Sequence, residues 1–146
     1  MNETSVNTRK RGDTLVESIY DAVVKLIKEV GYANLTFQQI AKAAKTSRSV
    51  LYRRWANMFD LLMEIVDDRS SKALGGQLID RIENTGTLRG DLLNLLKLYQ
   101  MTYTEIGPEI LSAALFEIGQ RNKELPQVQA DVTAQNSVVM KKLLRI

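Results

Sequence analysis

Hydrogen-bonding and basic side chains cluster in one short stretch of this sequence, residues 36–55, which has the pattern of two helices joined by a tight turn. The second of these helices begins with Arg48, Ser49 and Val50. Arginine can pair with guanine in a bidentate manner, serine can donate or accept a hydrogen bond, and valine can contact the thymine methyl group. Because the first turn of a helix in the major groove reaches base edges, these side chains are predicted to read DNA bases.

Other side chains are suited to the phosphate backbone. Basic and hydroxyl groups bind phosphate oxygens and position a protein on the duplex without reading its sequence. Each of these residues, taken alone, is equally compatible with an ordinary solvated helix face, and only the combination indicates DNA. The predicted phosphate-binding residues are Thr36, Lys45, Ser47, Tyr52, Arg53 and Arg54, with Arg9, Lys10 and Arg11 in the N-terminal segment.

The charge distribution favours a nucleic-acid partner for the N-terminal part of the chain. Residues 1–55 hold ten basic and five acidic side chains, whereas the remainder holds ten basic and twelve acidic ones. A basic module joined to a mildly acidic one is typical of a DNA-binding domain fused to a partner domain. Random drift of surface charge would produce the same division, so the charge adds support only alongside the motif.

The composition argues against catalysis. The 146 residues include no histidine and no cysteine, so the commonest metal ligand and general base is missing, as is thiolate chemistry. We therefore expect no enzyme activity, no metal site and no cofactor. No apolar run is long enough to span a bilayer, and the polar, basic N-terminus differs from a signal sequence. These features predict a cytoplasmic protein with no membrane partner.

Helical periodicity predicts a three-helix domain over residues 13–57. Its first helix is expected to begin at Asp13 or Thr14 and to end at Gly31, since its apolar residues recur at the spacing of one buried helix face. Residues 1–12 lack this periodicity and are predicted to form a flexible basic arm. Such an arm serves either DNA contact or simple solubility.

The second and third helices carry their own start signals. Thr36, followed three residues later by Gln39, has the pattern of a capping box, and Ser47 is a suitable N-cap for the third helix. Leu51 and Trp55 lie four residues apart and are predicted to face the core. The polar and basic residues of the third helix are thereby left facing outward.

Residues 58–146 are predicted to form a second, helical domain, which makes the fold class all-α. Apolar stripes predict helices over about residues 58–73, 88–105 and 109–120, and a final helix from Pro126. The 88–105 helix is apolar on all sides and is expected to be buried. The last residues stop within the apolar pattern and without a cap, which predicts a domain that is truncated or unusually short at its C-terminus.

One set of residues at fixed spacing runs through the first domain into the start of the second. This set resembles the TetR/AcrR family of bacterial transcriptional regulators over about residues 15–63. The resemblance implies a three-helix, helix-turn-helix DNA-binding domain joined to a helical ligand-binding and dimerisation domain. The residues that carry it are Ile19, Ala22, Leu26, Glu29, Gly31, Tyr32, Leu35, Thr36, Ile40, Ala41, Ala44, Ser47, Leu51, Tyr52, Trp55, Leu61 and Leu62.

The resemblance also implies roles for single residues. It places Thr36 and Tyr52 where members of the family contact phosphate. Base contacts in the family arise at the positions that are occupied here by Gln38, Arg48, Ser49 and Val50.

Three positions depart from the family pattern. Lys45 stands at the turn position that usually holds glycine, which demands a left-handed lysine or an altered turn. Met58 replaces a lysine that commonly binds phosphate at the start of the fourth helix, and Arg53, Arg54 and the basic arm are candidates to replace that contact. Arg54 and Trp55 occupy positions where the family usually has histidine or phenylalanine.

Taken with the resemblance, the sequence predicts a ligand-responsive repressor that binds a near-palindromic operator in double-stranded DNA as a homodimer. Its small-molecule effector, of unknown identity, would bind in the second domain. Tyr99, Met101, Tyr103 and Phe116 are candidates for lining that pocket, although core packing is the better explanation of each of them taken singly. The alternative function is that of a small helical interaction or adaptor protein that binds nucleic acid non-specifically or binds another protein.

Overall fold

The structure, a computed structural model, describes residues 3–121 and 125–145. Every regular element in these two ranges is a helix, so the predicted all-α fold class is confirmed. The helices are α1 (Glu3–Val30), α2 (Phe37–Ala43), α3 (Arg48–Arg54), α4 (Met58–Leu74), α5 (Leu78–Arg81), α6 (Leu88–Ile106), α7 (Pro108–Gln120) and α8 (Leu125–Leu144), with a short 3-10 helix at Tyr32–Asn34.

The first helix begins earlier than the sequence predicts. A flexible arm was expected over residues 1–12, but α1 starts at Glu3 and continues without a break to Val30. Adding residues to an existing helix is much easier than nucleating a new one, and no proline interrupts residues 3–13. A glycine such as Gly12 costs a helix only about 1 kcal/mol. The side chains of Arg9, Lys10 and Arg11 lie outside the described residues.

The chain divides into two compact units between Leu61 and Leu62. We call residues 3–61 the head and the described residues from 62 onward the body. In the head, α1 packs against α2 and α2 packs against α3. The buried apolar residues of these three helices are Ile19, Tyr20, Ala22, Val23, Phe37, Ile40, Ala41, Ala44 and Leu51, with Trp55 directly after α3.

In the body, α6 packs against α7 and α8, and α8 also contacts α5 and α7. The sequence predicted that α6 is buried on all sides, and this is wrong for one face, where Leu92, Leu93 and Leu96 are exposed. The reason is that only one stripe of α6 lies against its neighbours. One buried apolar cluster of the body consists of Leu74, Ile82, Leu95, Leu98, Val139 and Leu143.

Among the helices of the described residues, none combines the length and the apolar character that a bilayer crossing requires.

A buried carboxylate ties the end of α8 to the loop before α6. Asp91 is only 2% exposed. One of its oxygens accepts hydrogen bonds from the hydroxyl and the backbone N–H of Thr85, both at 2.7 Å, and the other accepts from Arg145 Nη2 at 3.1 Å. Arg145 also donates to Asn84. The loop lies so close to α6 that a Cβ added to Gly90 would meet Thr85 Oγ1 at 2.1 Å.

Replacing Asp91 by asparagine is expected to destabilise the protein at neutral pH and to do so less as the pH falls. The two hydrogen bonds from Thr85, with help from Arg145, hold the pKa of Asp91 below its ordinary value, although burial opposes the shift. A lowered pKa contributes stability that is fully present above the unfolded value of about 3.9 and is lost as the pH falls through the folded value. Urea unfolding followed by circular dichroism across this acidic range measures the difference.

The matched control for this experiment is Asp80→Asn, which removes an exposed carboxylate of α5 in the same body. It should leave the urea midpoint unchanged at every pH. If Asp91→Asn behaved in the same way, the carboxylate would contribute nothing to the attachment of α8.

Candidate nucleic-acid interface

The start of α2 is fixed by the predicted capping box. The hydroxyl of Thr36 accepts a hydrogen bond from the backbone N–H of Gln39 at 3.3 Å, and the side-chain oxygen of Gln39 accepts from the backbone N–H of Thr36 at 2.8 Å. This pair of bonds satisfies two backbone donors at the helix start. Thr36 and Gln38 are both exposed, the latter in the first turn of α2. The structure therefore leaves both predicted contact residues accessible.

The turn between α2 and α3 is left-handed at Lys45, where φ is 54°. The backbone N–H of Thr46 donates to the carbonyl of Ala41 at 2.9 Å, and that of Lys45 donates to the carbonyl of Lys42 at 3.2 Å. These two bonds form a Schellman motif, in which the left-handed residue is usually glycine. The sequence predicted either a left-handed lysine or an altered turn at this position, and the structure has the left-handed lysine. The lysine side chain is exposed.

Replacing Lys45 by glycine should stabilise the head by about 0.5–1 kcal/mol. The left-handed conformation costs an ordinary residue about 1–2 kcal/mol, and the greater freedom of glycine in the unfolded chain offsets part of this gain. Trp55 is the single tryptophan of the chain and is buried in the head, so its fluorescence during urea unfolding measures the change.

Lys42→Gly provides the matched control, because it removes the same side chain from the last turn of α2, where the backbone is helical. A glycine there should destabilise the head by about 1 kcal/mol. Effects of the same sign at both positions would contradict the argument from the backbone conformation of Lys45.

The start of α3 is capped by Ser47, as predicted. Its hydroxyl accepts from the backbone N–H of Val50 at 3.4 Å and lies 2.9 Å from the hydroxyl of Ser49. Ser49 is exposed, whereas Val50 is half-buried. Both residues are predicted to read bases, and Ser49 has more of its side chain available for contact than Val50.

The two sides of α3 have different environments. Leu51 and Trp55 are almost completely buried, in agreement with the predicted inward face. Arg48, Ser49 and Arg53 are exposed. Ser49 and Arg53 face away from Leu51, whereas Arg48 lies one turn before Leu51 at the exposed start of the helix. Core packing of Leu51 and Trp55 therefore fixes the position of α3 and leaves Arg48, Ser49 and Arg53 accessible.

Three side chains in series connect the first turn of α3 to the core of the head. The guanidinium carbon of Arg48 lies 5.7 Å from the ring centroid of Tyr52, and the ring of Tyr52 lies 4.8 Å from that of Phe37 at an angle of 60°. Tyr52 is 51% exposed, whereas Phe37 is buried. An exposed cation–π contact contributes about 0.5–1 kcal/mol, enough to favour one orientation of the arginine. The sequence reasoning missed this role of Phe37, although its position directly after the N-cap Thr36 was visible.

The end of α3 carries a second contact between an arginine and an aromatic ring. The guanidinium carbon of Arg54 lies 5.2 Å from the ring centroid of Trp55. Arg53 and Arg54 are both exposed. Met58, which begins α4, is half-buried, and the side chain of Asn57 caps that helix by accepting from the N–H of Asp60 at 3.0 Å.

A cavity of about 520 Å³ lies in the body. Tyr99 is the only one of the four predicted pocket residues among its described lining residues. Met101 lines a separate cleft, Tyr103 stacks on Tyr99 with 54% of its surface exposed, and Phe116 is 52% exposed on α7. The four residues therefore do not line one pocket. The described lining residues are Asp67, Ser70, Ser71, Leu74, Gly76, Gln77, Leu78, Ile79, Tyr99, Thr102, Gln135, Val138 and Val139.

The sequence reasoning missed the polar residues of this cavity. Asp67, Ser70 and Ser71 are spaced to share one side of α4 with Leu74. This spacing could have been recognised from the sequence. Gln135 comes from α8, a helix more than sixty residues further along the chain, so its proximity could be seen only in the folded protein.

Residues 19–65 match the family model described as bacterial regulatory proteins, tetR family. An uncharacterized HTH-type transcriptional regulator of Mycobacterium bovis is 31% identical over 107 residues, which are 72% of this chain and 48% of that protein; one from Mycobacterium tuberculosis gives the same values. A DNA-binding transcriptional repressor, TetR, of Mycobacteroides abscessus is 28% identical over 83 residues, covering 57% of this chain and 41% of that protein. The chain thus spans about half the length of the curated relatives it matches.

A TetR family transcription regulator from Marinobacter aquaeolei, whose crystal structure is known, has 19% sequence identity to this chain. The two superpose with a TM-score of 0.43 over 82% of this chain and 72% of the other.

Proposed function

Because the chain belongs to the TetR family of bacterial regulatory proteins, we propose that it is a transcriptional regulator that binds a specific DNA sequence. The observation that carries the proposal is that Arg48, Ser49 and Arg53 of α3 are exposed while Leu51 and Trp55 anchor the helix in the core. A helix held in this way can enter the major groove with its first turn against the base edges.

The proposed DNA contacts divide into two groups. Gln38, Arg48, Ser49 and Val50 contact bases, with Arg48 making the most specific contact because guanidinium pairs with guanine through two hydrogen bonds. The second group binds phosphates and sets the register of the protein on the duplex. It comprises Thr36, Lys45, Ser47, Tyr52, Arg53 and Arg54, with Arg9, Lys10 and Arg11 of α1.

We further propose a repressor that binds a near-palindromic operator as a homodimer. The curated relative from Mycobacteroides abscessus is named a transcriptional repressor, which supports this direction of regulation. In a symmetric dimer, the two copies of α3 occupy successive major grooves when they lie roughly 34 to 36 Å apart. The operator then has the two-fold symmetry of the protein.

The cavity of the body is the proposed site for a small-molecule effector. An effector changes operator affinity only if it binds the two conformations of the dimer with different affinities. In this proposal the effector favours a conformation in which the two copies of α3 no longer match the spacing of the half-sites.

Selection of bound sequences from random DNA tests the proposal. We expect an enriched motif made of two inverted half-sites whose centres are about one helical turn apart. Enrichment of a single half-site would contradict the homodimer but not the sequence specificity. Failure to enrich any motif would contradict the proposed function.

A salt titration separates this function from that of a non-specific adaptor. Specific sites typically bind at least about a thousandfold more tightly than random DNA, and both affinities fall with salt concentration because phosphate contacts release counterions. Equal affinity for the selected motif and for random DNA at every salt concentration would favour the adaptor.

A further inference from the structure

The cavity of the body combines a carboxylate with hydroxyl and amide groups beside an apolar wall. We propose that it binds a small organic cation whose positive group carries N–H donors. This inference rests on the proposed function, because the cavity is where that function places its effector, and it adds the chemical class of that effector. The cavity volume of about 520 Å³ is typical of sites that enclose small molecules.

Three polar groups of the cavity offer a ligand only hydrogen-bond acceptors, whereas the amides of Gln77 and Gln135 can also donate. The hydroxyl of Ser70 donates its proton to the carbonyl of Val66 at 2.7 Å, and that of Thr102 donates to the carbonyl of Leu98 at 2.9 Å. A hydroxyl has one proton and two lone pairs, so both residues offer a ligand only acceptor capacity. The ionised carboxylate of Asp67 also accepts only. A ligand rich in N–H donors satisfies all three groups.

The charge and the apolar wall of the cavity favour the same class of ligand. Asp67 is the one residue with a formal charge among the described lining residues, so an anionic ligand meets repulsion and a cationic one meets attraction. Leu74, Leu78 and Val139 provide apolar surface for the rest of the ligand. Tyr99 also lines the cavity, with its ring stacked on that of Tyr103.

Two cations of the elements that form the cavity are bound to other groups. Lys142 of α8 donates to the backbone carbonyl of Ile79, and Lys72 of α4 pairs with the carboxylate of Asp68 at 2.7 Å. These interactions hold both ammonium groups at other acceptors. Lys142 is therefore held by the backbone of a lining residue, and Lys72 by the carboxylate next to Asp67.

Isothermal titration calorimetry of the whole chain, without DNA, tests the inference with three probes of similar shape: phenylbutylammonium, phenylbutanol and phenylbutyrate. We expect the ammonium to bind about tenfold more tightly than the alcohol, since a charge-assisted hydrogen bond near the surface contributes modestly. The carboxylate probe should bind more weakly than the alcohol. Equal affinity for all three probes, or no binding of the ammonium, would overturn the inference.

Substitution of two aspartates of the body, one inside and one outside the cavity, makes the test specific to this site. Asp67→Asn should lower the affinity for the ammonium about tenfold, to that of the alcohol, and should leave the alcohol unaffected. Asp80→Asn removes an exposed carboxylate of α5 that does not line the cavity, so it should not change the preference. The same loss in both variants would show a general effect of charge and would overturn the inference.

The calorimetric result is independent of DNA binding. If the protein failed to enrich any DNA motif but bound the ammonium through Asp67, the regulatory function would fail and the cation site would stand. If it enriched a motif and bound all three probes equally, the regulatory function would stand and the cation site would fail.

Discussion

DNA that carries the preferred site should bind the Arg48→Ala variant about 1–3 kcal/mol more weakly than the unsubstituted protein. The expectation follows from the position of Arg48 in the first turn of α3, exposed and oriented by the rings of Tyr52 and Phe37. In the proposed complex its guanidinium pairs with guanine, so the loss should be confined to sequences that contain this base. Competition binding with the selected motif and with single-base variants of it measures the effect.

The geometry of Arg48 offers a second, sharper variant. Arg48→Lys keeps the charge but loses the planar fork that makes two parallel hydrogen bonds. Compared with Arg48→Ala, the lysine variant should therefore bind DNA of any sequence more tightly. Its discrimination at the one base pair that Arg48 reads should stay as low as in the alanine variant. Full recovery of specificity would mean that the charge alone matters at this position.

Arg53→Ala is the matched control, since Arg53 is an exposed arginine of the same helix and is proposed to bind phosphate. It should weaken binding to all sequences similarly and reduce the dependence on salt by about one ion. If Arg48→Ala also weakened binding to all sequences equally, Arg48 would be a phosphate contact and not a base reader.

Leu51→Ala should destabilise the head by about 2–5 kcal/mol, the range for removing a fully buried leucine side chain. Leu51 is 0% exposed, so the substitution leaves a cavity in the core of the head, where Trp55 is also buried. Small domains are stabilised by only about 5–15 kcal/mol, so a large share of the stability is lost. The fluorescence of Trp55 during urea unfolding should show a much lower midpoint.

Leu115→Ala is the control for this prediction, because it makes the same change at a residue of α7 that is 68% exposed. It should alter stability by no more than about 0.5 kcal/mol. Leu51→Met conserves the volume and should cost less than about 1.5 kcal/mol. A small effect of Leu51→Ala would contradict the packing described for α3.

The parts of the head that could be predicted from the sequence are those that local chemistry decides. Thr36 with Gln39, and Ser47 at the start of α3, are caps whose partners lie within three residues. Gly31 ends α1 with a positive φ, as expected from its position after the last apolar residue. These signals need no knowledge of tertiary contacts.

The predictions that were wrong depend on features that a short window of sequence does not contain. The start of α1 at Glu3 was missed because helix extension over a polar segment leaves no apolar pattern. The exposure of Leu92 and Leu96 was missed because periodicity shows which residues are apolar but not which neighbours cover them. The polar side of the cavity combines Asp67 with Gln135 from a distant helix, so it follows only from the fold.

The division of α3 into a packed side and an exposed side has a consequence for how such proteins diverge. Mutations at Arg48, Ser49 or Arg53 remove no buried contacts, so most of them are expected to cost little folding free energy. Leu51 and Trp55 can stay constant while the exposed positions drift. After a gene duplication, one copy can therefore acquire a new DNA target through one or two substitutions without passing through an unstable intermediate.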